Sequence, residues 1–305
     1  ENIFLISEKI GALPIRPLLT PVALNLQEEK KKFFQSKSYN PIFTYKKHET
    51  REEIYESIND IKKLLVGLPK DYNIYFLNLL DYLQKQYELK ISLGTKIFWE
   101  KARDAFDWGL PDEAFTWGST LHDMVNKSYT SKLLNPKEIK EIFSEILFKK
   151  YKLSDWEIII VPSKTTISVW PINHKIRIGE EAFRSKERLK QIIVHEIETH
   201  VLRAVNNEKW PLKFFRKKMV KDYVLYEEGF AVFNEFKTET LSKESLQRYL
   251  KRYELIKNLN MSFRDLYDSL LTFYSETEAF EMVDRVKRGM GDTSKPGGHL
   301  KDAAY

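Results

Sequence analysis

The sequence predicts a predominantly helical α+β fold with a small β-sheet beside one central helix. Three observations carry this. Apolar residues recur at helical spacing through most of the chain. Residues 156–178 are instead rich in β-branched residues and read as strands. The next helix then runs His195-Glu196-Ile197-Glu198-Thr199-His200 behind an apolar lead of Ile192, Ile193 and Val194, which sets a polar cluster at a buried end.

The elements follow in order. Residues 1 to about 50 mix short apolar runs with Pro14, Pro17, Pro21 and Pro41, and read as an irregular lead-in with one short helix near Leu26–Phe34. From Glu52 to Leu93, Ile54, Ile58, Ile61, Leu64 and Leu65, then Phe76, Leu79, Leu83 and Tyr87, mark two antiparallel helices broken at Leu68-Pro69. Residues 95–126 read as further helix interrupted at Gly109-Leu110-Pro111. Asn135-Pro136 opens another helix through Leu147, with proline in its first turn. Residues 156–161, Ile167–Trp170 and Lys175–Ile178 read as three strands, the last two joined through His174. A helix from Ser185 carries the histidines. Asp222–Thr238, Lys243–Asn258, Ser262–Phe273 and Glu276–Arg288 have helical patterns, and Gly289–Gly298 is a loop.

Composition bounds the chemistry. With 42% hydrophobic and 13% aromatic residues, the 305-residue chain can bury a real core and is not a disordered segment. Its lack of cysteine excludes disulfides, thiolate metal sites and a cysteine nucleophile. No stretch approaches the roughly 20 apolar residues of a membrane span, so no membrane partner is expected. The start lacks a signal-peptide pattern, and a cytoplasmic setting is expected. The chain begins with Glu1 rather than Met and is read as trimmed. Net charge is +6 with a pI near 9.0. The lysine runs, including Lys213 through Lys221, read first as solvated helix faces and second as attraction to an acidic partner. Charge alone does not separate nucleic acid from an acidic peptide or protein tail, of which the tail is the expected partner.

The histidine segment supplies the groups of a zinc hydrolase. His195 and His200 can hold one ion, and Glu196 can handle the proton of the attacking water. Histidines at i and i+4 lie only ~40° apart around an α-helix, but at i and i+5 they are ~140° apart. The motif therefore demands a locally widened turn, such as a π-bulge. The third ligand is expected from a downstream helix bearing Glu227-Glu228-Gly229-Phe230-Ala231. Glu228 is the candidate. Glu227 competes with it, or orients a ligand histidine from behind. Gly229 inside an apolar helix costs roughly 1 kcal/mol against alanine, which a close backbone neighbour would justify. The plain alternative is a salt-bridged helix surface. The apolar lead and the added E-E-G-x-A helix favour the metal site.

Here the residues resemble a known family. His195 through Asn206 looks like the H-E-I-G-T-H…R…N segment of the microtubule-associated tyrosine carboxypeptidases, which have bacterial relatives known by a Q-E-G-L-A motif. Glu227-Glu228-Gly229-Phe230-Ala231 resembles their E-E-G-L-A. Arg285-Val286-Lys287-Arg288-Gly289 and Asp292-Thr293-Ser294-Lys295-Pro296-Gly297 are similar to their R-x-K-R-G…D-T-S-x-P-G. Lys301-Asp302-Ala303-Ala304-Tyr305 resembles their K-D-x-x-Y. The ordered match covers roughly residues 185–305, and Asn40-Pro41-Ile42-Phe43 extends it loosely. Two departures stand out: Glu198 replaces a glycine and adds a negative charge near the ligands, and Phe230 replaces a leucine. The family pattern also runs on beyond Tyr305, so the chain is read as cut short or as a shorter member.

The resemblance implies a zincin-like metallopeptidase of the glutamate-zincin type. By position His195, His200 and Glu228 match the ligands of one zinc ion, and Glu196 matches the catalytic glutamate. The expected division is an N-terminal helical extension over 1–94 and a catalytic domain over 95–305. The expected reaction is hydrolysis of the C-terminal peptide bond to release Tyr or Phe, with an acidic tail as substrate, tubulin-like in a eukaryote. A carboxypeptidase must capture a free α-carboxylate, which arginine does through two charged hydrogen bonds. Arg285 and Arg288 are the first candidates and Arg203 the third, although Arg203 could simply pair with Glu227. A strand at Ile167–Trp170 or Lys175–Ile178 could hold the substrate backbone. His174 and His299 read as loop residues, His299 with a minor claim to oxyanion stabilisation. The alternatives are an aminopeptidase or dipeptidyl peptidase, and a non-enzymatic basic helical module that binds an acidic partner.

Overall fold

A computed structural model describes residues 2–18, 20–109, 111, 113, 116, 118, 120, 125, 133–162 and 166–304. Helix dominates, with two small sheets, so the α+β expectation holds. The expected helix through residues 95–126 is described over Phe98–Ala105, and most of its later part lies outside the described residues. No helix among the described residues is long and apolar enough to cross a membrane.

The predicted pair of helices forms at Glu52–Leu64 and Lys70–Ile91, with Ile54, Ile58, Ile61, Phe76, Leu79, Leu83 and Tyr87 buried. The lead-in differs from its reading. Besides Leu26–Gln35 it holds a second helix, Asn2–Ala12, whose Ile6 and Ile10 enter the same apolar cluster. Eleven residues make a marginal helix alone. Packing on Glu52–Leu64 and on the short helix Lys213–Arg216 holds it in place. A second cluster joins Phe33, Phe43, Leu89 and Phe98 to the helices Lys243–Lys257, Phe263–Leu270 and Glu276–Lys287.

The third cluster frames the site. Strands β1 (Leu133–Leu134) and β5 (Arg184–Ser185) pair antiparallel. Strands β2 (Glu157–Val161), β3 (Ile167–Trp170) and β4 (Lys175–Gly179) form a sheet in the order β2-β4-β3. β2 runs parallel to β4, and β3 antiparallel to it. The sheet's Ile158, Ile176 and Ile178 pack with Phe143, Leu189, Ile197 and Val201, and β3 lies against the histidine segment. His174 is a loop residue as expected. It stacks on Trp156 and bonds Asp155 and Glu208. Asn135 caps Pro136–Ser144 through a reciprocal bond with Glu138.

The loop after Glu276–Lys287 is pinned from three sides. Gly289 has φ +90, and a Cβ there would fall 2.0 Å from the Phe98 ring. Lys287 is fully buried, and its ammonium donates to the carbonyls of Met261, Lys295 and Leu259. Thr293 Oγ1 donates to Pro41 O at 2.7 Å, and Phe43 N to Gly291 O at 2.8 Å. The Asn40–Phe43 stretch thus docks on the Gly289–Gly298 loop, far along the chain.

Candidate metal centre

Ser185 caps the helix that carries the histidines by accepting from Arg188 N. The helix is α over Lys186–Ile192, π over Ile193–Val201 and α again over Leu202–Glu208. The widened turn demanded by the i, i+5 spacing is therefore present. Leu202 N bonds back to Ile197 O, and Thr199 Oγ1 reaches Val194 O at 2.8 Å. Five residues then bring the side chains back near one face. The His195 and His200 rings sit edge to face with centroids 4.8 Å apart.

The helix Tyr223–Lys237 packs against this segment and supplies Glu228. Glu228 Oε2 lies 3.5 Å from His195 Nε2 and 3.7 Å from His200 Nε2. Those separations are long for hydrogen bonds. They approach the roughly 3.3 Å between ligands of a tetrahedral ion with bonds near 2.0–2.1 Å. His195, His200 and Glu228 form the group among the described residues whose ligand atoms all lie within 4.8 Å of one another. Glu228 Oε2 is buried with no hydrogen-bond partner. A buried carboxylate oxygen left unpaired is costly. A divalent cation between it and the two imidazoles would satisfy it, and this N, N, O set suits zinc.

Each imidazole is oriented from behind. His195 Nδ1 bonds Glu235 Oε1 at 2.6 Å, and His200 Nδ1 bonds Glu227 Oε1 at 2.8 Å. A carboxylate on Nδ1 fixes the tautomer and turns the Nε2 lone pair toward the site. Glu227 therefore lies behind His200 rather than between the two rings. Glu235 was missed. Its signal was its place two turns after Glu228 on the same helix face. Glu235 is buried and also accepts from Gln191 at 2.5 Å and from Tyr249.

The field at the site is built for positive charge. Burial opposes protonation of both imidazoles, but Glu228 and Glu235 hold His195 well above its ordinary pKa, and Glu227 and Glu228 raise His200 to about 9. Burial pushes the Glu228 carboxyl up, yet Lys301 and the two histidines hold it well below the usual carboxylate range. Glu196 is raised by burial, with His200 and His195 pulling the other way. A raised pKa makes a carboxylate a stronger general base than an exposed one.

The remaining residues fall as follows. Glu198 does not crowd the ligands, because Lys150 and Tyr151 each bond it at 2.7 Å. Arg203 pairs with Glu227 and lies over the Tyr223 ring. Arg285 pairs with Asp302, and Arg288 with Asp284 at 3.4 Å. Lys218 departs from the solvated reading of its lysine run: it is largely enclosed and reaches Glu227 at 3.4 Å. His299 is not poised to stabilise an oxyanion. Its Nε2 donates to Leu18 O at 2.8 Å, and its Nδ1 accepts from Lys301 N at 3.1 Å. The Gly229 expectation is only half met. Ala304 O is the neighbour, but at 3.7 Å from a built Cβ it would tolerate alanine.

Comparison with known proteins adds the family. The family model described as microtubule-associated tyrosine carboxypeptidase matches residues 31–305. The chain belongs to that family. Mouse microtubule-associated tyrosine carboxypeptidase 1 is 33% identical over 125 residues, covering 38% of this chain and 26% of that protein. The human protein of the same name is 31% identical over 123 residues, covering 38% and 26%. MATCAP2 of Mus musculus is 26% identical over 289 residues, 92% of this chain and 48% of that protein. The chain thus spans about half or less of the curated relatives it matches. The matched region contains the π-helical histidine segment, the Glu227-Glu228 helix and the Lys301-Asp302 segment, whereas the Asn2–Ala12 helix precedes it.

Proposed function

We propose that this chain is a zincin-like, zinc-dependent carboxypeptidase that releases a C-terminal aromatic residue, Tyr or Phe, from a peptide or protein tail. One observation carries the reading. The buried, unpartnered Glu228 Oε2 faces two imidazole nitrogens whose opposite ring nitrogens are each held by a carboxylate. His195, His200 and Glu228 would hold one zinc ion. The ion would supply Lewis acidity and lower the pKa of a bound water toward 7.

The chain's own groups do the rest. Glu196, its pKa raised by burial, accepts a proton from the attacking water and returns it to the leaving amine. Glu227 and Glu235 hold the imidazoles in one tautomer. For the substrate backbone, β3 is the better platform, since β4 is flanked by strands on both edges and β3 lies against the histidine segment. Capture of the α-carboxylate is proposed for Arg285 or Arg288, with Arg203 third. Each now meets a carboxylate of the chain itself, so capture proceeds by exchange. The relatives' names associate those proteins with microtubules. An acidic, tubulin-like tail is the proposed substrate class, and the +6 charge supports it.

Peptides ending in tyrosine, with free or amidated C-termini, test the reading. Release of tyrosine from the free acid alone is expected. Glu196→Gln should abolish release while the protein retains one metal ion per chain. Equal cleavage of amidated peptides would remove the carboxypeptidase assignment.

A further inference from the structure

We propose that Lys301 is a positioning residue of this centre: its ammonium occupies the outer oxygen of Glu228 and leaves that carboxylate a single oxygen for the metal. The proposal rests on the reading of His195, His200 and Glu228 as ligands.

The two oxygens of Glu228 are sorted. Oε1 lies 3.1 Å from Lys301 Nζ, whereas Oε2 faces the histidines at 3.5 and 3.7 Å. A carboxylate can bind a cation through one oxygen or both. A charged donor on Oε1 removes the second option, because binding through both oxygens would swing Oε1 away from the ammonium. One-oxygen binding leaves room for three protein ligands plus water, the arrangement of a catalytic zinc site.

The lysine is built into place. Its side chain is only 7% exposed, and an enclosed ammonium needs paired charge. Glu228 provides that charge, with Asp302 Oδ1 at 3.7 Å. The backbone on either side is fixed. Lys301 N donates to His299 Nδ1, His299 Nε2 donates to Leu18 O, and Asp302 pairs with Arg285. The turn Leu300–Ala304 packs on the Glu228 helix. Arg285 thereby also supports Lys301 through Asp302.

Cobalt(II) substitution of the full chain tests this, since its visible bands report coordination number. Wild type should bind one cobalt per chain with strong four-coordinate bands. Lys301→Met should weaken and shift those bands as Glu228 engages through both oxygens, and Lys301→Arg should restore them. If Lys301→Met does not fold, Lys301→Ala is read the same way. Zinc-edge X-ray absorption of the unmutated protein gives a measurement free of folding effects. It should fit four nitrogen and oxygen neighbours. Unchanged bands in a folded Lys301→Met, or a five-neighbour shell with two carboxylate oxygens in wild type, would overturn the role of Lys301. In both cases the ligand reading stands, provided His195→Ala loses the metal. Absence of stoichiometric cobalt in wild type would instead sink the ligand reading, and this proposal with it.

Discussion

Glu235 Oε1 lies 2.6 Å from His195 Nδ1, and the two residues come from different helices. The same helix sends Glu227 to His200 and Glu228 to the space between the rings, so one element both lines the candidate ion site and orients an imidazole. Loss of an outer carboxylate on a ligand histidine typically costs about 10–100-fold in metal affinity. Glu235→Ala should show a loss of that size in chelator competition, with Glu235→Gln less affected because it can still accept a hydrogen bond. Wild-type affinity in folded Glu235→Ala would mean that the contact does not tune the centre.

Glu198 tests whether charge near the motif matters. Its partner Lys150 is 59% exposed, so the pair is screened and worth about 1 kcal/mol or less. Glu198→Ala should therefore lower stability by no more than that in urea unfolding. Metal affinity should stay at the wild-type value. A clear gain in affinity would show that Glu198 acts on the ligands despite its bonds to Lys150 and Tyr151.

Two glycines, one on the Glu228 helix and one after Arg288, should respond in opposite ways. Gly289 has φ +90 and no room beside the Phe98 ring, so Gly289→Ala combines backbone strain with a clash and should cost about 2–4 kcal/mol. Gly229 lies within a helix with 3.7 Å of clearance, so Gly229→Ala should be neutral or raise stability by up to about 1 kcal/mol. Thermal unfolding of both variants checks the pair. A strongly destabilised Gly229→Ala would show that Ala304 approaches more closely than its carbonyl position allows.

Acid should loosen the C-terminal turn through His299. Burial lowers its pKa to about 3, with the Arg288 charge adding to the effect and the bond from Nε2 to Leu18 O opposing it. The unfolded chain binds this proton near pH 6.5 and the folded chain only near 3. Stability from the neutral ring is thus complete above pH 6.5 and falls as the pH drops through that window toward 3. Urea unfolding of wild type and His299→Gln between pH 7 and 4 should show a steeper acid loss in wild type. Parallel curves would place the titration elsewhere.

Local pattern revealed much of this protein. The apolar spacing of Ile54, Ile58 and Ile61 and of Phe76, Leu79 and Leu83 placed two helices, because a helix buries one stripe. The β-branched run at Ile158–Ile160 placed a strand. The i, i+5 spacing of His195 and His200 required a widened turn, since covalent helix geometry allows no other convergence. The Asn2–Ala12 helix was hidden, because its stability comes from neighbours distant in sequence rather than from its own residues.

What the residues determined alone was therefore whatever depends on short-range periodicity: the elements, the histidine turn and the chemical types of the candidate ligands. Folding decided the rest. It set Glu235 rather than solvent behind His195, Lys301 on Glu228, and Asp302 on Arg285, the first arginine expected to meet substrate. Those pairings join side chains from separate elements, and a charge shows its partner only when packing brings the two within reach.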